Sequence, residues 1–233
     1  MSTYVLVHGS WSGGWQWQAV REQLEQEGHR VLTPTLTGMG DRHHLATEGV
    51  DLMTHVDDIA RLIQWERLDD VVLVGHSYGG MVITGAAAAV PDRIDHLVYL
   101  DAFLPRSGQC AWDILEWQRE SFQGLRLEDR PWLVRPVEIA QFFPELEGID
   151  MSRLTPMPIA THERALETAV EPGWIAATYV HATSPAFFDD SAKRAAQDGM
   201  RVVDVDAGHQ LLSTHPDFVA ELLLGLSRGQ DGR

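Results

Sequence analysis

The stretch Gly75-His76-Ser77-Tyr78-Gly79 follows the pattern G-x-S-x-G. A serine framed in this way is a candidate nucleophile when it stands on a sharp turn between a strand and a helix. Such a turn strains the serine backbone and brings neighbouring chain close, which favours flanking residues without side chains. The hydroxyl is then held clear of a sheet, at a helix N-terminus whose N–H groups favour a developing oxyanion. The competing reading is a glycine-rich turn whose serine only caps a helix. Context decides between the two. The apolar run Val71-Val72-Leu73-Val74 precedes the motif, and a small-residue, alanine-rich run over 81–90 follows it. Strand, turn and helix are all in place, so the nucleophile reading is preferred.

Serine needs a base, and a histidine on another loop must supply it. Of the eleven histidines, His209 follows the last strand signal, in Asp206-Ala207-Gly208-His209-Gln210, just before a C-terminal helix. In the chain order serine, acid, histidine, that is where the base belongs. His215 stands beside Pro216 and reads as a helix-start residue. His43 and His44 sit in a loop without metal-protease spacing and read as solvated, so no metal site is expected. His8, at the end of the first strand signal, reads as structural. A second oxyanion donor should come from the loop after the first strand. The glycine-rich run from His8 to Trp15 is correctly placed, and the backbone N–H groups of Ser10 and Tyr78 are the expected donors.

Strand and helix signals alternate along the chain, which argues for an α/β class with a mostly parallel, doubly wound sheet. Strands are expected at 4–7, 30–33, 71–74, 97–100, 175–180 and 201–205. Helices are expected at 15–27, 51–65, 81–90, 190–197 and 216–226, and 35–49 reads as loop. Alternation fails over 105–173. That stretch holds seven of the eleven prolines and the aromatics Trp112, Trp117, Phe122, Trp132, Phe142 and Phe143. Too apolar for a linker and too long for a plain loop, it reads as a helical insertion. The tail over 227–233 is polar and reads as frayed.

The chain has 233 residues, 44% of them apolar and 22% charged, which fits one large folded α/β domain, or two small domains at most. Its formal charge of −16 repels phosphate backbones and anionic lipid, which argues against nucleic-acid and membrane-surface partners. The single cysteine, Cys110, allows no internal disulfide and no thiolate zinc cluster. No apolar run approaches the roughly 20 residues of a spanning helix. The start, Met1-Ser2-Thr3-Tyr4, shows no basic region of a signal peptide. A reduced, cytoplasmic setting is the expectation.

These motifs together resemble the α/β-hydrolases, and most closely the branch of plant salicylate-binding methylesterases, hydroxynitrile lyases and bacterial esterase relatives. The resemblance runs through His8-Gly9-Ser10 to Trp17, Gly28-His29-Arg30-Val31, Val72 through Met81, and Gly208-His209. It implies one α/β-hydrolase domain, formed by 1–104 and 174–233, with 105–173 as a cap over the active site. Hydroxynitrile lyases of this type carry a lysine after the histidine, a threonine after the first-strand histidine and an acidic residue before the serine. Here those positions are Gln210, Gly9 and His76, which points to ester hydrolysis.

The acid departs from the plant pattern, which places it after the strand preceding the last helix pair. In this chain that segment, Tyr179 to Pro185, has no carboxylate, and Asp189 and Asp190 read as helix-start residues. Asp101 ends the strand after the elbow helix, where some lipases of the wider fold carry their acid. A carboxylate behind four apolar residues needs a partner to be buried. Asp101 is therefore favoured over Asp189 and Asp190. The resemblance implies a serine hydrolase of a small carboxylic ester or lactone, with Ser77, His209 and Asp101 as its triad and no cofactor. Trp112, Trp117 and Trp132 would shape its pocket, with cap packing as their plainer role. A hydroxynitrile-lyase-like C–C lyase and a non-catalytic small-molecule binder are the alternatives. The expected partner is a small-molecule ester, and a homodimer is the one assembly left open.

Overall fold

The structure, a computed structural model, describes residues 1–136 and 150–228. Phe142, Phe143 and the last five residues of the polar tail lie outside the described residues. Six strands form one parallel sheet: β1 (Thr3–Val7), β2 (Arg30–Leu32), β3 (Val71–Ser77), β4 (Ile94–Ala102), β7 (Ala176–Ala182) and β8 (Arg201–Val205). Their order is β2-β1-β3-β4-β7-β8.

Pleating sends alternate residues of the continuously apolar strands to opposite faces, and both faces are covered. Val5, Val71, Leu73, Leu97 and Tyr179 belong to one core. There they meet Ile59 and Ile63 of α2 (Leu52–Trp65), Met81 and Ile83 of α3 (Gly79–Ala89), and Ala192 of α6 (Asp189–Gln197). Tyr4, Leu6, Val72, Val74 and Val98 belong to the other core. They meet Leu24 of α1 (Gln18–Gln26) and Val219 and Leu223 of α8 (Pro216–Arg228).

From β1 the chain crosses to β2 on one side, then returns to β3 on the other. The crevice beyond the carboxyl ends of β1 and β3 is therefore the sheet's topological switch point, where ligands of open α/β sheets bind. Ser77 ends β3, and the Gly9–Ser10 loop follows β1.

Local elements depart from expectation in several places. A four-residue helix, α7 (Leu211–Thr214), stands between the last expected strand and helix, and α8 continues through Ser227 and Arg228, which were expected to belong to a frayed tail. The helix expected at 15–27 opens as a tight 3-10 turn, Gly14–Trp17, before α1. The loop at 35–49 contains a further 3-10 turn, Gly40–Leu45. The 105–173 segment, expected to be helical, holds α4 (Trp117–Gly124) and the single-turn α5 (Ala160–Glu163). It also contains an antiparallel pair, β5 (Leu133–Val134) and β6 (Met157–Pro158). Two-residue strands leave no periodicity to read. Among the described residues, no helix is long and apolar enough to cross a membrane.

Candidate active site

Ser77 stands at φ +54°, in the left-handed region, on the turn from β3 into α3. The turn is closed tightly enough to require its glycines. A Cβ at Gly75 would lie 2.6 Å from the Gly79 carbonyl oxygen, and one at Gly79 would lie 2.7 Å from the Val7 carbonyl oxygen. Ser77 itself is half-buried, while its neighbours His76 and Tyr78 are buried. Tyr78 is the N-cap of α3, so its N–H falls outside the helix's own hydrogen-bond ladder. The β1 loop comes close from the other side, since a Cβ at Gly9 would sit 2.9 Å from Ser77 Cβ. Ser10 is the next residue.

Asp101 is fully buried. In the β3–β4 ladder His76 pairs with Leu100 but Ser77 pairs with Ala102, so Asp101 is the extra residue of a bulge, at φ +42°. Bulges re-aim side chains at sheet ends. Here the carboxylate accepts the His209 Nδ1–H at 2.6 Å through Oδ2 and the Ala182 N–H at 3.1 Å through Oδ1. The bulge is braced by Tyr179, whose hydroxyl donates to the Ala102 carbonyl at 2.6 Å and accepts the Ala102 N–H at 3.2 Å. Burial holds the Tyr179 phenol well above its ordinary pKa, so it stays a donor.

His209 lies on the loop after β8. The His76 Nε2–H donates to its carbonyl oxygen at 2.8 Å, and the two rings lie 4.7 Å apart. Burial pushes the His76 pKa down to about 3, so the ring stays neutral. Phe187 and Phe188 pack on His209, at 6.1 and 5.6 Å between centroids. Gln210 is held by an amide–amide hydrogen bond from Gln16 Nε2 at 3.0 Å.

The structure thus gathers Ser77, His209, Asp101, Ser10 and Tyr78 around the carboxyl ends of β1, β3 and β4. The competing acids stand elsewhere. Asp189 is 3.0 Å from His181 Nε2, and the largely exposed Asp190 pairs with Lys193. His215 and the pair His43–His44 are exposed. His8 donates from Nδ1 to the Gly9 carbonyl and accepts the Leu36 N–H at Nε2. Among the described residues, no group of three or more potential ligands could hold a metal.

The three tryptophans proposed for a pocket separate. Trp117 lies 6.4 Å from Phe187, which in turn packs on His209. Trp112 is buried edge-on to Phe122 with Arg119 over its ring, and the Trp132 carbonyl receives the Ile159 N–H. The Trp112 contacts are packing inside 105–173, and the Trp132 bond is one of its backbone. Sequence reasoning missed Phe187, Phe188, Tyr179 and His162. The last is a buried residue of α5 whose Nε2 lies 3.2 Å from Ser10 Oγ. A lone histidine in an aperiodic segment carries no signal of its own.

Comparison with known proteins gives the chain its family. The chain is 38% identical over 241 residues to the carbendazim hydrolyzing esterase of Nocardioides sp. (strain SG-4G), covering 97% of this chain and 100% of that protein. It is 32% identical to methylesterase 8 of Arabidopsis thaliana, over 66% of this chain and 60% of the relative. An extracellular α/β-hydrolase from a Paenibacillus species, described as sharing homology with tobacco salicylic acid binding protein 2, superposes with a TM-score of 0.77 at 24% identity. The overlap covers 97% of this chain and 98% of that one. The alpha/beta hydrolase family matches residues 4–222, and the chain belongs to it.

Proposed function

We propose that this protein hydrolyses a small carboxylic ester or lactone through a Ser77–His209–Asp101 triad and an acyl-enzyme. That it is a carboxylic-ester hydrolase follows from its kinship with an esterase along nearly its whole length. For the finer mechanism, the observation that carries most weight is the 2.6 Å bond from His209 Nδ1–H to the buried Asp101 carboxylate, beside a strained serine.

In this mechanism His209 Nε2 takes the Ser77 proton as Oγ attacks the substrate carbonyl carbon. The carbonyl π bond breaks onto oxygen, and the Ser10 and Tyr78 N–H groups stabilise that oxyanion. Collapse breaks the bond to the alcohol, which leaves with the proton from His209. Water, deprotonated by the same imidazole, then attacks the acyl-enzyme. The acid is released and the Ser77 hydroxyl restored. Asp101 stays ionised throughout, fixing the tautomer and stabilising the imidazolium.

No metal or organic cofactor takes part in this scheme. Relatives named as methylesterases favour a small leaving alcohol, and the Trp117–Phe187 contact beside His209 favours an apolar or aromatic group nearby. Gln210 and its Gln16 partner are uncharged, which favours hydrolysis over a reaction that relies on a lysine cation there. The low cysteine count and acidic surface fit a cytoplasmic enzyme acting on small molecules. The test is turnover of a panel of small acyl and aryl esters and lactones by the wild type and by Ser77→Ala. Turnover that disappears with Ser77 supports the reading; turnover retained by the alanine variant overturns it.

A further inference from the structure

His162 touches the side chains of both residues that supply the oxyanion N–H groups. It belongs to α5, inside the 105–173 segment, and is fully buried. Its Nε2 lies 3.2 Å from Ser10 Oγ. Its ring stacks on Tyr78, with centroids 4.8 Å apart and planes 18° from parallel. Phe122 also packs on the ring, with centroids 5.0 Å apart.

Proton accounting fixes the direction of these bonds. Thr161 Oγ1 donates its hydrogen to the Pro158 carbonyl at 2.7 Å. Toward His162 Nδ1, 2.9 Å away, the same oxygen can then only accept. The Nδ1 of His162 therefore carries the proton, and Nε2 presents a lone pair. The Ser10 hydroxyl donates to it. Burial pushes the His162 pKa down to about 3, which keeps the ring neutral and that lone pair available at working pH. Tyr78 is held at its other end as well. His55 Nε2–H donates to the Thr37 carbonyl at 2.8 Å, leaving Nδ1 to accept the Tyr78 hydroxyl at 3.0 Å.

We propose that His162 is a positioning residue for the oxyanion hole: it clamps Ser10 by hydrogen bond and Tyr78 by ring stacking, so the inserted segment sets the spacing of the two donor N–H groups. The proposal rests on the hydrolytic reading above and deepens it. A structural histidine filling space would have no reason to act on the transition state in preference to the ground state. A residue that sets donor spacing must do so, because the oxyanion exists only there.

The test compares His162→Phe, His162→Gln, Ser10→Ala and the double variant Ser10→Ala/His162→Phe. Thermal melts establish folding. Phenylalanine keeps the stacking face and loses the acceptor; glutamine keeps an acceptor and loses the ring. Ser10→Ala keeps the N–H and removes only the hydroxyl, so it carries the test if His162→Phe does not fold.

The expected result is a fall in kcat of roughly 10- to 100-fold for His162→Phe and Ser10→Ala, with KM within about twofold. Affinity for a boronic acid that forms a tetrahedral adduct should fall in parallel, while affinity for the product acid holds. The double variant should be no worse than the weaker single, because both remove one clamp. Glutamine should recover part of the loss.

Wild-type kcat in both His162→Phe and Ser10→Ala, a loss confined to KM, or losses that multiply in the double variant would each overturn the proposal. Turnover surviving in Ser77→Ala is a separate outcome. It removes the hydrolytic reading and this proposal with it.

Discussion

The Tyr179 hydroxyl holds both the N–H and the carbonyl of Ala102, at 3.2 and 2.6 Å. Through Ala102 it fixes the bulge that points Asp101 at His209. Tyr179→Phe should leave two buried backbone groups unpaired, at about 1–3 kcal/mol of stability. It should also loosen the acid. A displacement of an ångström or so at the reacting geometry costs on the order of 100-fold in rate. Denaturant unfolding and kcat, measured on the same preparation, check both effects; a loss of stability with unchanged kcat would show that the bulge holds without its brace.

Asp101→Asn keeps shape and removes charge. With the imidazole deprived of its anionic partner, kcat should fall by about 10³- to 10⁴-fold. Asp189→Asn and Asp190→Asn should alter kcat by less than about twofold, because those carboxylates face His181 and Lys193 at the surface. The three kcat values, measured under one condition, decide which acid serves His209.

How far the site could be read in advance follows from where its residues lie. Ser77 and His209 were legible because a continuous apolar strand and a glycine pair bracket the first, and the last strand-to-helix junction holds the second. Asp101 was legible as a carboxylate ending an apolar run, which must find a partner. Its bulge was not, because one extra residue in a ladder depends on the neighbouring strand's register and leaves no mark in its own. The tryptophans were less legible for a related reason. Aromatic content shows that 105–173 has a core without showing which ring faces the substrate; Trp112 is buried against Phe122 there. His162 acts through tertiary contact alone. The sheet was read closely because its central strands, such as Val71 to Val74, are continuously apolar; the two-residue strands β5 and β6 were too short to show.

Gly9 marks the closest approach of the β1 loop to the nucleophile. In Gly9→Ala the added Cβ would fall 2.9 Å from Ser77 Cβ, so loop or elbow must move. A strained insertion of this kind costs about 1–3 kcal/mol. The movement separates Ser77 from the Ser10 N–H, and kcat should drop by roughly 100-fold while KM changes little. Steady-state kinetics and a thermal melt of the single variant check this, and full activity would show that the approach has slack.

Four buried histidines link stability to pH. Burial lowers the pKa of His8 to about 4, of His76 and His162 to about 3, and lowers that of His55 as well. Above the ordinary histidine value near 6.5 both folded and unfolded states hold these rings neutral, and they contribute no pH dependence. As pH falls below it, the unfolded chain takes up protons that the native state refuses. Stability should therefore fall with acidification from about pH 6.5 towards 4, by on the order of 1 kcal/mol per pH unit for each ring at full effect. Denaturant unfolding at pH 7.5, 6.5, 5.5 and 5 reads the slope. A flat profile across that window would contradict the burial of these neutral rings.

The most direct measurement of the mechanism is of the covalent intermediate itself. A slowly deacylated aryl ester is mixed with the enzyme, quenched in acid within seconds and examined by intact mass and peptide mapping. The expected result is a mass increase equal to the acyl group, confined to the peptide bearing Ser77, with one equivalent of phenol released in a burst and neither seen in Ser77→Ala. An acyl group on another residue, or turnover of the ester with Ser77 replaced, would contradict it.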